Sequence, residues 1–217
     1  MIKKSAGQTL LENAYKLATP DDNAEYYDAF ASTYDREFAD ELGWHYPAAI
    51  AEIYHDACTT TDTPIADIGC GTGLVASALD FSREQIDGID ISAEMLRIAE
   101  EKQLYRTLYE VDLTKSLDPI ANDYGAVLSA GTFTSGHLGP EPLEVLLDIA
   151  RTDALFIIGV KKVFYHEAGF EPVLRDMETR GLIKNMKVAE VPMYAKAGHD
   201  HSADTAFALV YRKGHVE

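Results

Sequence analysis

Ile65-Ala66-Asp67-Ile68-Gly69-Cys70-Gly71-Thr72-Gly73 places a glycine-rich turn directly after a short apolar strand. The run Leu74-Val75-Ala76-Ser77-Ala78-Leu79 follows and reads as a helix. Strand, turn and helix in this order bring backbone N–H groups and a helix N-terminus close to a ligand. Glycine suits such a turn because it accepts positive φ and leaves no Cβ in the ligand's way. Asp67, just ahead of the turn, argues against a simple phosphate, which a neighbouring carboxylate disfavours.

Working outward, residues 8–18 read as a first helix ended by Thr19-Pro20. Asp21, Asp22 and Asn23 offer N-caps for a second helix from about Ala24, on which Tyr27, Phe30, Tyr34 and Phe38 recur at helical spacing. Gly43 breaks it, and Pro47 opens a third helix that runs to about Cys58. Downstream, strands are expected at 65–68, 86–90, 107–111, 126–129, 155–160, 187–192 and 205–212, and helices at 74–79, 93–102, 143–150 and 172–180. That alternation implies an α/β fold: a seven-stranded, mainly parallel sheet with helices on both faces. The last two strands have only a short polar loop between them, so they are expected to pair antiparallel. With no repeat, low-complexity segment or linker, residues 1–217 read as one domain, with a sheet core over 64–217.

Composition narrows the function classes. The net charge of −17, from 36 acids against 19 bases, opposes binding to a phosphate backbone, so a nucleic-acid partner is not expected. No run approaches the ~20 apolar residues of a membrane helix. The N-terminus from Met1 has charge but no apolar segment behind it, so it does not read as a secretory signal. Cys58 and Cys70 form no C-x-x-C pair, which leaves no zinc motif and no disulfide framework and makes the cytoplasm the expected compartment. Cys70 reads as packing rather than as a nucleophile. His199 and His201 flank Asp200 on the hairpin loop, a weak case for a metal beside a solvated loop, so no metal is expected.

Asp67, Asp90 and Asp112 each close a predicted strand. In an open α/β sheet ligands bind beyond the carboxyl ends of the strands, so these acids converge on one crevice and can meet different polar parts of an extended cofactor. Each also has a plainer role, since an acid after a strand is often a helix cap, and Ser92 caps equally well.

The stretches D-I-G-C-G-T-G (67–73), D-G-I-D-I-S-A-E-M-L (87–96) and E-V-D-L (110–113) resemble, in order and spacing, the successive motifs of class I S-adenosylmethionine (SAM) methyltransferases. The resemblance covers roughly residues 64–160 and implies a Rossmann-like fold whose N-terminal helices, over 1–60, lid the pocket. It implies SAM as cofactor and S-adenosyl-L-homocysteine as product. Gly69, Cys70, Gly71, Thr72 and Gly73 would lie under the methionine part, with Asp67 near its amino group. Asp90 would accept from both ribose hydroxyls. Ile91 and Met95 would pack against adenine, and Asp112 with Leu113 would meet its amino edge. Tyr34, ahead of Tyr27, would touch the cofactor from the lid, leaving Phe30 and Phe38 as packing. Ser129 would end its strand close to the sulfonium.

Residues 128–140, L-S-A-G-T-F-T-S-G-H-L-G-P, resemble the methyltransferase-like proteins named after the Williams–Beuren syndrome chromosome region. The element Tyr27-Asp28-x-x-Ala31-x-x-Tyr34-Asp35 fits that group and other small-molecule methyltransferases. One departure is Tyr124-Gly125-Ala126, where the fourth strand often opens aromatic-Asp-Ala; Asp123 stands one place early. The loop after this strand should line the same crevice, with Thr132, Phe133 and His137 toward the acceptor. His137 is either a base or a loop histidine bonded to backbone. Thr132, Thr134 and Ser135 either orient a ligand or satisfy turn geometry.

The function implied is methyl transfer to a small-molecule acceptor, on O or N, by in-line displacement. Two alternatives stay open: a SAM-binding sensor or partner subunit without chemistry, and an NAD(P)-binding oxidoreductase. The second rests on Gly71-Thr72-Gly73-Leu74-Val75-Ala76, which fits G-x-G-x-x-A, but gives Asp67 and Asp112 no role. No residue names the acceptor or the oligomeric state.

Overall fold

The computed structural model describes residues 5–115 and 117–215; Met1 to Lys4, where the stretch read as lacking a signal begins, lie outside them. Three N-terminal helices come first: α1 (Ala6–Ala14), α2 (Pro20–Tyr34), continued by a π-helical turn (Asp35–Asp40), and α3 (Tyr46–Ala57). The sheet core then runs β1 (Ile65–Ile68), α4 (Leu74–Leu79), β2 (Ile86–Asp90), α5 (Ala93–Glu101), β3 (Thr107–Glu110) and β4 (Tyr124–Phe133). It continues with α6 (Pro142–Val145), β5 (Ala150–Lys161), α7 (Lys162–Glu167), α8 (Phe170–Thr179), β6 (Ile183–Pro192) and β7 (Thr205–Lys213).

All seven strands form one sheet in the order β3-β2-β1-β4-β5-β7-β6. The first five are mutually parallel, and β7 runs antiparallel between β5 and β6, as the missing helix before it required. The order reverses between β1 and β4, which opens a crevice at their carboxyl ends, where α/β proteins bind ligands.

Successive strand residues point to opposite faces, and both faces are covered. Ile65, Ala126, Leu128, Leu155 and Ile157 pack under α3, through Tyr46, Ile50 and Tyr54. Ala66, Ile68, Val127, Phe156 and Ile158 pack on the other side against Leu143, Phe170, Leu174 and Met177. Strands buried on both faces read as near-continuous apolar runs, which is why they were visible in the sequence.

Boundaries differ where caps and pairing decide them. Helix α2 starts at Pro20 because Thr19 is its N-cap: the Thr19 hydroxyl accepts from Asp22 N and the Asp22 carboxylate accepts from Thr19 N, both at 3.1 Å. Asn23 therefore sits inside the helix rather than at its cap. Strand β4 extends to Phe133 through a bulge beyond Ser129, so Gly131 and Thr132 belong to the end of a strand, not to a free loop. Helix α6 is a single turn, because the chain enters β5 at Ala150, within the helix expected over 143–150. Helix α7 had no place among the predicted elements. Among the described residues no helix is long and apolar enough to cross a membrane.

One buried acid ties the strands together. Asp87 on β2 is fully buried and accepts from Arg106 Nε at 2.9 Å, Arg106 Nη2 at 2.5 Å and the Tyr124 hydroxyl at 2.7 Å. Asp87→Ala leaves both partners without an acceptor. It should lower unfolding stability by about 3 kcal/mol, the low end for a broken buried ion pair because Arg106 still meets water. Urea titration checks this: the midpoint should fall with the slope unchanged.

Candidate functional site

The glycine turn has the backbone its sequence requires. Gly69, Gly71 and Gly73 take φ of 65°, 52° and 90°. At Gly69 any Cβ would also collide with the Thr132 side chain, while Gly71 borders open space. The turn's N–H groups, however, point into the protein. Ile89 O accepts from Gly69 N at 2.8 Å and from Cys70 N at 3.0 Å, and Asp90 Oδ2 accepts from Gly71 N at 2.8 Å. Cys70 O accepts from Gly73 N at 2.9 Å. The turn thus supplies room for a ligand more than donors. A pyrophosphate, which needs such donors, finds these four already committed.

Asp90 faces the cavity at the end of β2. Its Oδ1 accepts from Ser92 N at 2.9 Å, so each oxygen keeps capacity for a further donor. Burial raises its pKa, against the backbone N–H bonds that favour the charged form. Asp112 and Leu113 also reach the cavity. Asp112 Oδ1 accepts from Thr114 N at 2.9 Å and Thr114 Oγ1 at 2.6 Å. Burial pushes its pKa up, but the bonds from Thr114 and Lys115 outweigh that and hold it below the ordinary value.

Asp67 is placed differently from expectation. It lies fully buried beneath the turn, where Oδ2 accepts from the Tyr105 hydroxyl at 2.7 Å and Oδ1 has no partner. It is not a cavity wall, because its carboxylate turns to Tyr105, in the segment ahead of β3. Burial pushes its pKa up to about 7, partly offset by the Tyr105 bond. Cys70, Thr72, Gly73 and Ser129 are likewise not walls. Cys70 is buried, and burial holds its thiol well above the ordinary value, as packing demands. Thr72 donates to Asp35 Oδ1 at 2.6 Å, away from the cavity. Gly73 caps α4. Ser129 donates to Ile68 O at 2.8 Å, beside Thr132, which donates to the same carbonyl at 3.1 Å.

The second helix closes the crevice. Ala31 on α2 is buried, and Asp28 and Asp35 on either side of it reach the sheet core. Asp28 Oδ1 accepts from Ser92 Oγ at 2.6 Å and from Glu94 N at 3.1 Å, at the N-terminus of α5. Asp35 accepts from Thr72 and pairs with Lys102 Nζ at 2.6 Å. The Tyr-Asp-x-x-Ala-x-x-Tyr-Asp spacing therefore puts two latches on one face of a helix, one on each side of a close approach. At its other end Asn23 Nδ2 donates to Gly136 O at 2.7 Å, and the Tyr27 hydroxyl meets His137 Nε2 at 2.8 Å.

The cavity so formed opens to solvent at its mouth. Tyr27, Tyr34, Gly69, Gly71, Asp90, Ile91, Met95, Asp112 and Leu113 line it with Thr132, Phe133 and His137. Phe30 and Phe38, expected as packing, are walls as well, and Tyr34 stacks on Phe38 with ring centroids 5.0 Å apart. Thr134, which the sequence offers as a ligand-orienting or turn residue, faces the cavity, as do Asn23, Trp44, Tyr15 and Lys161, which sequence reasoning did not place at a site. Trp44 carried a signal, as the chain's one tryptophan beside a helix break. Lys161 carried none, because only the end of β5 places it. Its ammonium pairs with Asp204 at 2.8 Å and lies 4.0 Å from the Tyr15 ring centroid. Asp204 also accepts from His201 Nδ1 at 3.1 Å, so the hairpin loop carries His201 to the acid that holds Lys161. Among the described residues no group of side chains is arranged to hold a metal ion.

Residues 65–152, from β1 to the start of β5, match a family model described as a methyltransferase domain. Similar solved structures share the fold over most of the chain. An S-adenosylmethionine-dependent methyltransferase from Clostridium acetobutylicum aligns with a TM-score of 0.60 at 16% identity, over 87% of this chain and 99% of that one. The plantazolicin methyltransferase BpumL, in complex with SAH, aligns at 0.59 with 15% identity, over 95% of this chain and 100% of that one. A ribosomal protein L11 methylase from Lactobacillus delbrueckii subsp. bulgaricus aligns at 0.53 with 18% identity, over 79% and 80%. No curated protein matched. Residues 65–152 are therefore similar to a methyltransferase domain, and the chain has a Rossmann-like fold like that of these solved methyltransferases, with a cavity at the switch point.

The raised pKa of Asp67 predicts a pH signature. A carboxyl whose folded pKa lies above its unfolded value contributes stability that is full at low pH and is lost as pH rises through the folded pKa. The window here runs from about 3.8 to about 7. Asp67→Asn should remove this loss. The melting temperature of the wild type should fall relative to the variant between pH 4 and pH 7. A constant difference across that range would contradict the assignment.

Proposed function

We propose that the protein is a SAM-dependent methyltransferase acting on a small-molecule acceptor by in-line displacement, within the group named after the Williams–Beuren syndrome chromosome region. The carrying observation is the convergence of Gly71, Asp90 and Asp112, from the ends of β1, β2 and β3, on one cavity walled by the lid. These residues suit SAM in their chemistry. Gly71 leaves open space where the cofactor would pass close to backbone. Asp90 faces the cavity with one protein bond on each oxygen, which leaves acceptor capacity for two ribose hydroxyls. Ile91 and Met95 would sandwich adenine, Asp112 and Leu113 would meet its amino edge, and Tyr34 would cover the cofactor from the lid. Asp67, Cys70, Thr72, Gly73 and Ser129 would hold the turn and the β4 end in shape from beneath. The residues act as one domain, with 1–60 as lid.

When bound, SAM supplies the methyl electrophile. What this chain has to do is align an acceptor, exclude water and keep the two together, and proximity alone can lower a barrier by ~7–11 kcal/mol. The lid latches at Asp28 and Asp35 serve exclusion, since they bind α2 to both flanks of the cofactor end. An acceptor that must lose a proton also needs a base, and His137 is the imidazole on the cavity wall. The chain's acidity and the charge pairing of Lys161 favour an acceptor that is a small molecule rather than a nucleic acid.

SAM should raise the melting temperature and NAD should leave it unchanged, because only a ligand of the native state stabilises it. The reverse outcome would sink the proposal. In calorimetry Asp90→Ala should weaken SAM by at least about tenfold, since it removes hydrogen bonds to a carboxylate. Tyr34→Ala should weaken SAM less, and unchanged affinity there would remove Tyr34 from the cofactor site.

A further inference from the structure

The hydrogen bonds around His137 fix its tautomer. Nδ1 lies 3.2 Å from Ser135 O, and a carbonyl can only accept, so Nδ1 carries the proton. Nε2 is then the lone-pair nitrogen, and the contact at 2.8 Å is the Tyr27 hydroxyl donating to it. Burial moves the imidazole pKa down, against the Ser135 bond, which keeps the ring neutral. The basic nitrogen of His137 therefore faces Tyr27 and not the open cavity. What Tyr27 shows the cavity is the lone pair of a phenol whose proton is already given away.

Other polar groups at this end have the same character. Asn23 spends its amide N–H groups on Thr19 O at 2.8 Å and Gly136 O at 2.7 Å, leaving Oδ1 buried and without a partner. Thr134 Oγ1 is also buried without a partner. The cavity's lysine is neutralised by Asp204. This end thus offers acceptors without formal charge, within walls of Phe30, Trp44, Leu11 and Phe133. Among the described residues that line this end, a carboxylate or phosphate would find no free cation. A neutral amine would need no base before attack, whereas a hydroxyl must lose its proton.

We propose that Tyr27 and His137 form a proton relay, and that the acceptor is an uncharged, largely apolar molecule whose hydroxyl bonds to Tyr27. This rests on the methyltransferase function proposed above. The acceptor O–H bond breaks and its proton joins Tyr27 Oη, while the former Tyr27 proton joins His137 Nε2. The freed oxygen pair forms the bond to the transferred methyl, whose old bonding pair stays on the sulfur. The proton ends on an imidazolium still bonded to Ser135 O and later leaves to solvent. Tyr27 is the catalytic residue of this step, and His137 is the positioning residue behind it.

The test uses the protein saturated with S-adenosyl-L-homocysteine and the fluorescence of Trp44, the one tryptophan, on the cavity wall. The probes are para-ethylphenol, para-ethylaniline and para-ethylbenzoate. The phenol should bind at least about tenfold more tightly than the other two, and Tyr27→Phe should erase that preference, consistent with one lost hydrogen bond. Equal binding of the three probes, or an unchanged preference in Tyr27→Phe, would overturn the relay. A melting curve for Tyr27→Phe shows whether it folds. If it does not, His137→Gln takes its place: with SAM it should lower kcat for the phenol about a hundredfold and leave KM within about threefold. A loss in KM alone would assign His137 to packing and overturn the relay. Failure to bind S-adenosyl-L-homocysteine would refute the underlying function as well, whereas cofactor binding without phenol preference would refute the relay alone.

Discussion

The site hangs on the carboxylate of Asp90. It accepts from Gly71 N and Ser92 N, so one side chain at the end of β2 fixes both the glycine turn after β1 and the start of α5. Ile89 O, the neighbouring carbonyl, takes two more N–H groups of the same turn. A turn with three positive-φ glycines has a large conformational entropy to lose. Charge-assisted bonds from the adjacent strand offset that loss and hold the turn open rather than collapsed. The consequence is a cradle whose donors are spent inward and whose value to a ligand is space.

The lid extends the same frame. Asp28 bonds to Ser92 and Glu94 N at the point where Asp90 already holds α5, and Asp35 reaches the turn through Thr72. One acid on α2 and one on the π-helical turn that continues it thus grip the elements that Asp90 organises. At the far end Asn23 and Tyr27 hold the segment after β4. One helix thus spans the cavity from the end of β2 to the segment after β4, and its aromatic residues line it. The wall is aromatic along its length and ends in the uncharged acceptors of Asn23 and Thr134.

Much of the fold was legible because buried strands are apolar throughout, and glycines and prolines mark their ends. β1, β2 and α4 emerge with the expected bounds for that reason. The errors fall where pairing or capping overrides local pattern. β4 runs on through a bulge to Phe133, and α6 shrinks to a turn because β5 claims Ala150. By residue type Asn23 fits a cap, but the Thr19–Asp22 box sets the helix start and frees Asn23 for Gly136. Phe30 and Phe38 fit a core stripe, and helical spacing alone does not distinguish a core from a cavity wall.

By itself the sequence determined the alternation of strands and helices, the positive-φ turn and the acids that close β1, β2 and β3, since these depend on residue type and short-range spacing. Only the tertiary structure decided which acids face the cavity. Asp90 and Asp112 do, while Asp67 turns beneath the glycines to Tyr105, a partner 38 positions away in the chain. It also decided the state of His137, because a tautomer is set by what each ring nitrogen touches, and Tyr27 lies 110 positions away. Side-chain direction and hydrogen-bond partnership depend on long-range packing, which local sequence does not encode in readable form.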